Sequence, residues 1–223
     1  MAENVKKKNK FLKTLLGILL AIAVFVCGVI IYFNVTHNYY VVYGPSMSPT
    51  LNNGIIDVNE SKDGVFVSKV KSYTRGDIIV LDKNYGIEGE TERFVIKRLI
   101  AIEGDKINVI LYDGNYRISL IRAGESEPVL LEEEYLLDYS VNQKLYINFN
   151  AMINELSLQT DESGYITIPE NNVFIIGDNR NNSADSSTYG PKHEESVVGK
   201  VDYIAYGNTD IYLQVIKQFF GWN

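Results

Sequence analysis

Three stretches of this 223-residue chain bring together residue types that can do covalent chemistry. The first is Gly44-Pro45-Ser46-Met47-Ser48-Pro49-Thr50-Leu51. Gly and Pro on either side fix a sharp, exposed turn, which offers a serine hydroxyl to a substrate; a serine there can equally be a plain turn residue. The second sets Lys97 among Phe94, Val95, Ile96, Leu99 and Ile100. Strand alternation puts Lys97 on the face of Val95 and Leu99. An amine turned to an apolar face is costly when charged, so its pKa falls and the neutral form becomes available as a base. The competing reading is a lysine that snorkels from a strand end. The third is Gly177-Asp178-Asn179-Arg180-Asn181-Asn182-Ser183-Ala184-Asp185-Ser186, a dense polar run directly behind the apolar Val173–Ile176. Taken alone it is a hydrophilic surface loop; a calcium loop is disfavoured because Arg180 falls where a ligand oxygen belongs.

Metal and cofactor chemistry have little to work with. Cys27 is the one cysteine and His37 and His193 are the two histidines, with no HExxH pattern. A disulfide framework and any site needing two thiolates are therefore excluded. No metal and no cofactor are expected.

The elements that must hold these residues read mainly as strands. Segments 77–81, 93–100 and 172–176 are apolar runs of strand length. Residues 106–112 and 115–120 flank Asp113-Gly114, a pair that tolerates the positive φ of a two-residue hairpin turn. Helical periodicity is scarce, with 132–137 and 211–220 its best candidates. Residues 106–170 are rich in Glu, Tyr and Asn, carry none of the three stretches, and read as an insertion between two halves of one domain.

Ahead of this body, Thr14 to Phe33 form 20 uncharged, mostly apolar residues, the length that crosses a bilayer core as a helix. A cleavable signal peptide would have a shorter apolar region and a small-x-small site after it; Asn34-Val35-Thr36-His37 offers none. A retained anchor is expected. Five lysines (Lys6, Lys7, Lys8, Lys10, Lys13) precede the span, which places residues 1–13 in the cytoplasm and the body outside. Residues 1–33 carry a net +4, and the remainder carries −11 within the overall −7. So acidic a body argues against nucleic acid as a partner.

Together the stretches resemble a known family. Ser46-Met47-x-Pro49-Thr50-Leu51, Arg75-Gly76-Asp77-Ile78, Lys97-Arg98 with Gly104-Asp105, and Gly177-Asp178-Asn179-Arg180-x-Asn182-Ser183-x-Asp185-Ser186 are similar, in order and spacing, to the boxes of bacterial type I signal peptidases. The likeness is confined to these boxes and the anchor. It implies a membrane-bound serine endopeptidase that removes N-terminal signal peptides from exported preproteins, whether as a general task or a dedicated one such as processing pilus subunits. It also implies that Ser46 is the nucleophile and Lys97 the general base, with Ser183 orienting the amine and Asp185 supporting that arrangement. This is the nucleophile–base–orienter logic of a triad with an amine in place of imidazole. The Ser46 backbone N–H is the natural oxyanion donor. Some relatives add a serine side chain two positions earlier, where this chain has Gly44. The family often has Arg two residues after the Asp185 position, where this chain has Ser187; Arg180, Arg98 or hydroxyls such as Ser187 are left to hold the aspartate.

The implied partners are signal peptides and membrane lipid. A signal peptide would add as a strand between residues 39–44 and 94–97, with Met47, Phe94 and Ile96 lining small pockets; Met47 and Ile96 are equally readable as ordinary core residues. The expected architecture is mainly β: a cytoplasmic tail (1–13), a transmembrane helix (14–33), an antiparallel β catalytic domain in two halves (39–105 and 171–210), an inserted β-rich subdomain (106–170) and a C-terminal tail (211–223). Three rival readings are weaker. A Ser-His-Asp hydrolase would need His37 or His193, but no Gly-x-Ser-x-Gly elbow exists. A penicillin-binding enzyme finds S-x-x-K in Ser68-Lys69-Val70-Lys71 but lacks its Lys-Thr-Gly partner. A catalytically silent anchored module has no reason to keep Ser46, Lys97 and Ser183 together.

Overall fold

The computed structural model describes residues 2–57, 59–82, 94–136 and 139–207. The chain forms two compact units, Met1–Asn38 and Tyr39–Asn223. The first is dominated by helix α1 (Ala2–Thr36). Within it Asn9–Thr36, 28 residues, is long and apolar enough to cross a membrane. At 1.5 Å per residue that length is about 42 Å, more than the roughly 30 Å hydrocarbon core requires. The helix therefore runs past both ends of the expected 14–33 span, because nothing in Asn9–Lys13 or Asn34–Thr36 breaks it. The Thr36 hydroxyl turns back to the Tyr32 carbonyl at 2.7 Å at its end.

The second unit is built on strands β1 (His37–Tyr43), β2 (Ser61–Ser68), β3 (Ile78–Asp82), β4 (Phe94–Ile102), β5 (Lys106–Tyr112), β6 (Asn115–Ile121), β7 (Val129–Leu130), β8 (Ile166–Thr167), β9 (Asn172–Ile176), β10 (Lys192–His193) and β11 (Val197–Ala205). One sheet has seven strands in the order β1-β2-β11-β3-β4-β9-β10, and the other has four, β7-β6-β5-β8. Every pair with a defined register is antiparallel. The large sheet curls: Tyr40 of β1 meets Phe94 of β4 edge to face at 5.0 Å, although three strands separate them in the order. Inside the curl Val42, Met47, Leu51, Val65, Val67 and Val80 form one core cluster.

Hairpin β5–β6 follows the expected register, with Tyr112 opposite Asn115. Asp113 and Gly114 both take positive φ, 47° and 77°, the conformation that such a two-residue turn demands.

The segment 106–170 holds more than strands. Helix α2 (Asn142–Glu155) buries Leu145, Phe149 and Met152 against the small sheet. These three recur at helical spacing, but the alternation Leu145-Tyr146-Ile147-Asn148-Phe149 imitates a strand, and the helix's four asparagines have low helix propensity. Burial of the Leu145–Phe149–Met152 stripe decides the outcome. The helix expected at 132–137 is absent over its described part, where a single turn brings the Leu136 amide to the Glu133 carbonyl at 2.9 Å. Leu137, residue Arg93 at the start of the expected 93–100 strand, and the 211–220 candidate lie outside the described residues.

An ion pair on a buried carboxylate ties the turn before β3 to the start of the small sheet. Asp105 is fully buried, and Arg75 grips it through Nε and Nη2, both at 2.6 Å. Burial alone would raise the Asp105 carboxyl; the guanidinium and the amides of Ile102 and Ala123 outweigh it and hold the pKa below the ordinary carboxylate range. A carboxyl depressed in this way stabilises the fold at pH values above its unfolded pKa, and the contribution is lost as pH falls through the folded one. Arg75→Ala is accordingly expected to lower stability at pH 7 by roughly 2–3 kcal/mol, the worth of a charge-assisted pair. The gap from the parent should narrow below about pH 4, as the parent loses the same term. Denaturant unfolding of both proteins between pH 3 and 7 measures it, and a gap independent of pH would contradict it.

Candidate active site

Ser46 sits in the turn that follows β1, and one asparagine staples that turn in place. Gly44 enters it with φ 72°, which favours glycine. Asn52, fully buried, donates from Nδ2 to the carbonyls of Val42 and Gly44 at 2.8 and 3.0 Å. Its Oδ1 accepts from the amides of Lys62 and Asp63, and its own amide donates to Asp63 Oδ2 at 2.6 Å. The other oxygen of Asp63 takes the Gly207 amide at 2.8 Å. Met47 and Leu51 are buried pegs on the inner side of the turn, which leaves Ser46 half-buried above them. Nothing in Leu51-Asn52-Asn53-Gly54 distinguishes Asn52 from a loop residue, so its role is invisible without the fold.

Lys97 lies on β4, where Val95, Lys97 and Leu99 alternate as buried positions, as the strand pattern requires. Lys97 is 2% exposed. Its Nζ donates to Ser46 Oγ and to the Ile96 carbonyl, each at 3.0 Å. An amine this close to a hydroxyl, in surroundings this dry, can take the hydroxyl proton once it is neutral. The histidines are engaged elsewhere: His37 Nδ1 lies 2.7 Å from Thr36 Oγ1, and the exposed His193 accepts the Glu195 amide.

The polar run 177–186 packs directly on this pair. The Asn179 amide donates to the Ser46 carbonyl at 3.0 Å, and Asn179 Nδ2 donates to the Pro45 carbonyl at 3.1 Å. Gly177 lies so close that a Cβ there would stand 2.2 Å from Ser183 Oγ and 2.5 Å from the Ser46 carbonyl oxygen. Only glycine fits. Ser183 Oγ is thus brought against the Ser46 turn, buried and without a hydrogen-bond partner among the described residues.

Asp185 acts one layer further out. Its carboxylate accepts from the Gly177 amide at 2.9 Å, the Ser187 amide at 3.0 Å and the Ser187 hydroxyl at 2.7 Å, and it caps helix α3 (Ser186–Tyr189). Of the three candidate holders, Ser187 takes the role, since Arg98 and Arg180 are committed to other carboxylates. Lys192 supplies a nearby cation; burial pushes its pKa down while Asp185 opposes the shift.

Arg98 grips Asp178 with Nε at 2.8 Å and Nη2 at 2.6 Å, and Asp178 also accepts the Thr50 hydroxyl from the Ser46 turn. Burial would lower the Arg98 guanidinium, but Asp178 outweighs it and the pKa is raised. The residues of the expected peptide pocket also gather: Met47 is fully buried in the cluster inside the curl, and the half-buried Phe94 and Ile96 pack against it.

This site sits in a chain with recognisable relatives. Residues 12–206 match the family described as signal peptidase, peptidase S26. Signal peptidase I S of Bacillus subtilis is 29% identical over 92% of this chain and 94% of its own length. Signal peptidase I P of Bacillus subtilis subsp. natto is 33% identical over 75% of this chain and 76% of its own. A crystal structure of a signal peptidase I from Enterococcus faecalis has 28% sequence identity, covers 59% of this chain and 98% of that one, and aligns with a TM-score of 0.36. On the match over residues 12–206 the chain belongs to the signal peptidase family, peptidase S26, and is a serine endopeptidase.

Proposed function

We propose that this protein removes N-terminal signal peptides from exported preproteins with Ser46 as nucleophile and Lys97 as general base. The observation that carries the reading is the 3.0 Å approach of Lys97 Nζ, on a side chain buried from solvent, to Ser46 Oγ. Neutral Lys97 takes the Ser46 proton as Oγ bonds to the scissile carbonyl carbon. The resulting oxyanion is held by the Ser46 backbone N–H; Gly44 has no side chain to add, so a second donor must be backbone or water. The Lys97 ammonium then returns its proton to the departing amine, and water hydrolyses the acyl-enzyme with Lys97 again as base. Ser183, poised beside the nucleophile turn, orients the amine when substrate displaces water, and Asp185 fixes Ser183 through Gly177.

The substrate lies extended between β1 and β4, which the curl of the sheet brings together. Phe94 and Ile96 border the pockets for its small side chains, and Met47 forms their floor. Helix α1 anchors the protein, with the lysine cluster cytoplasmic and the catalytic unit on the extracytoplasmic side. Incubation of the purified protein with a panel of preproteins, followed by N-terminal sequencing of the products, tests the reading. Each product is expected to begin one residue after a small side chain, with a second small residue two positions before that one. Intact preproteins, or cuts without this pattern, would refute it.

A further inference from the structure

The inserted segment reaches into the site through Glu133, Tyr135 and Asn142, none of which the function proposed above employs. Arg180 is 4% exposed and Glu133 is 1% exposed. Two arms of the guanidinium are held by the insertion: Nη2 donates to Glu133 Oε1, and Nη1 donates to Asn142 Oδ1 at 2.9 Å. The remaining Nε donates to the Gly177 carbonyl at 3.1 Å. The Gly177 amide is already bound by Asp185, so both polar groups of this residue are fixed. Gly177 is also the residue pressed against Ser183 Oγ and the Ser46 carbonyl.

A second route starts from the same place. The Tyr135 hydroxyl donates to Glu133 Oε1 at 2.7 Å and accepts from Arg180 Nη2 at 3.2 Å. The Arg98 guanidinium lies over its ring, 3.9 Å from the centroid, and Arg98 in turn holds Asp178, which holds Thr50 in the nucleophile turn. Glu133 and Tyr135 therefore set both arginines that reach the two backbone segments of the site.

We propose that Glu133 is a positioning residue for peptide-bond cleavage, acting through Arg180 on Gly177, and that Tyr135 assists it through Arg98, so that the inserted segment governs turnover. The inference rests on the Ser46–Lys97 reading. Displacing a reacting group by about 1 Å can cost on the order of a hundredfold in rate, and Gly177 has no slack between its neighbours.

The test uses the full chain in detergent micelles, with kcat and KM measured on a preprotein for Glu133→Gln, Tyr135→Phe and, in parallel, Ser46→Ala. Glu133→Gln is expected to lower kcat roughly ten- to a hundredfold, and Tyr135→Phe severalfold, with KM within about threefold of the parent. A purely structural role would lower the melting midpoint and the active fraction but leave kcat per folded molecule unchanged. A folded Glu133→Gln protein with parental kcat overturns the proposal, as does an effect confined to KM. Should Glu133→Gln fail to fold, Tyr135→Phe, which keeps both charges and the ring, decides: parental kcat there overturns it equally. Retained activity in Ser46→Ala would instead defeat the catalytic reading, whatever Glu133 does.

Discussion

Ser46→Ala is expected to lower preprotein cleavage by about 10⁴–10⁶-fold, the usual cost of removing an acyl-forming nucleophile. The change deletes one oxygen from a half-buried side chain whose Oγ receives the Lys97 hydrogen bond. The turn itself is held by Asn52, Met47 and Leu51, none of which touches that oxygen in its bonding, so the fold should survive. Thermal unfolding beside a cleavage time course separates the two effects. Retention of a tenth of the parental rate by a folded variant would remove Ser46 from its role.

Lys97→Arg should be almost as damaging, on the order of 10⁴-fold, because in the proposed dyad nucleophile and base would act as one unit, whose losses do not add. Guanidinium stays protonated under any condition the protein tolerates, so it cannot accept the Ser46 proton. The larger guanidinium would also have to replace an amine held at 3.0 Å from both Ser46 Oγ and the Ile96 carbonyl. Lys97→Met keeps the length and apolar character of the stem, and it should fold yet remain inactive. If Lys97 is the general base as proposed, acylation requires the neutral amine, so the parental rate should climb with pH and level off once Lys97 has lost its proton. Single-turnover rates across a pH series, for the parent and both variants, check all three expectations. An active Lys97→Arg enzyme would sink the dyad.

Much of this protein can be read without coordinates, wherever the determinant is local. Ser46, Lys97, Ser183 and Asp185 are picked out by the resemblance of their boxes to those of type I signal peptidases, and the apolar run around 14–33 is a matter of composition. Turn chemistry alone locates the β5–β6 hairpin, because Asp113 and Gly114 satisfy its dihedral angles with no help from the rest of the chain. Alternation on β4 likewise buries Lys97 with Val95 and Leu99. Helix α2 escaped the same reasoning, since its apolar residues fit two periods at once and only the surface offered by the small sheet chooses between them.

The other decisions belong to residues far apart in the chain. Ser46 and Lys97 are 51 positions apart and meet because the large sheet curls until β1 faces β4. Asn52 looks like any loop asparagine until four backbone groups from β1, the turn after it and β2 converge on its side chain, and Glu133 like any exposed acid until Arg180 arrives from 47 residues away. Arg98 and Arg180 were each open to pairing with Asp185 by sequence; in the fold Arg98 takes Asp178 and Arg180 takes Glu133. Burial makes such pairings obligatory, because a charge withdrawn from water must find its partner within hydrogen-bond reach. The identity of that partner is a property of packing, and no local pattern of residues encodes it.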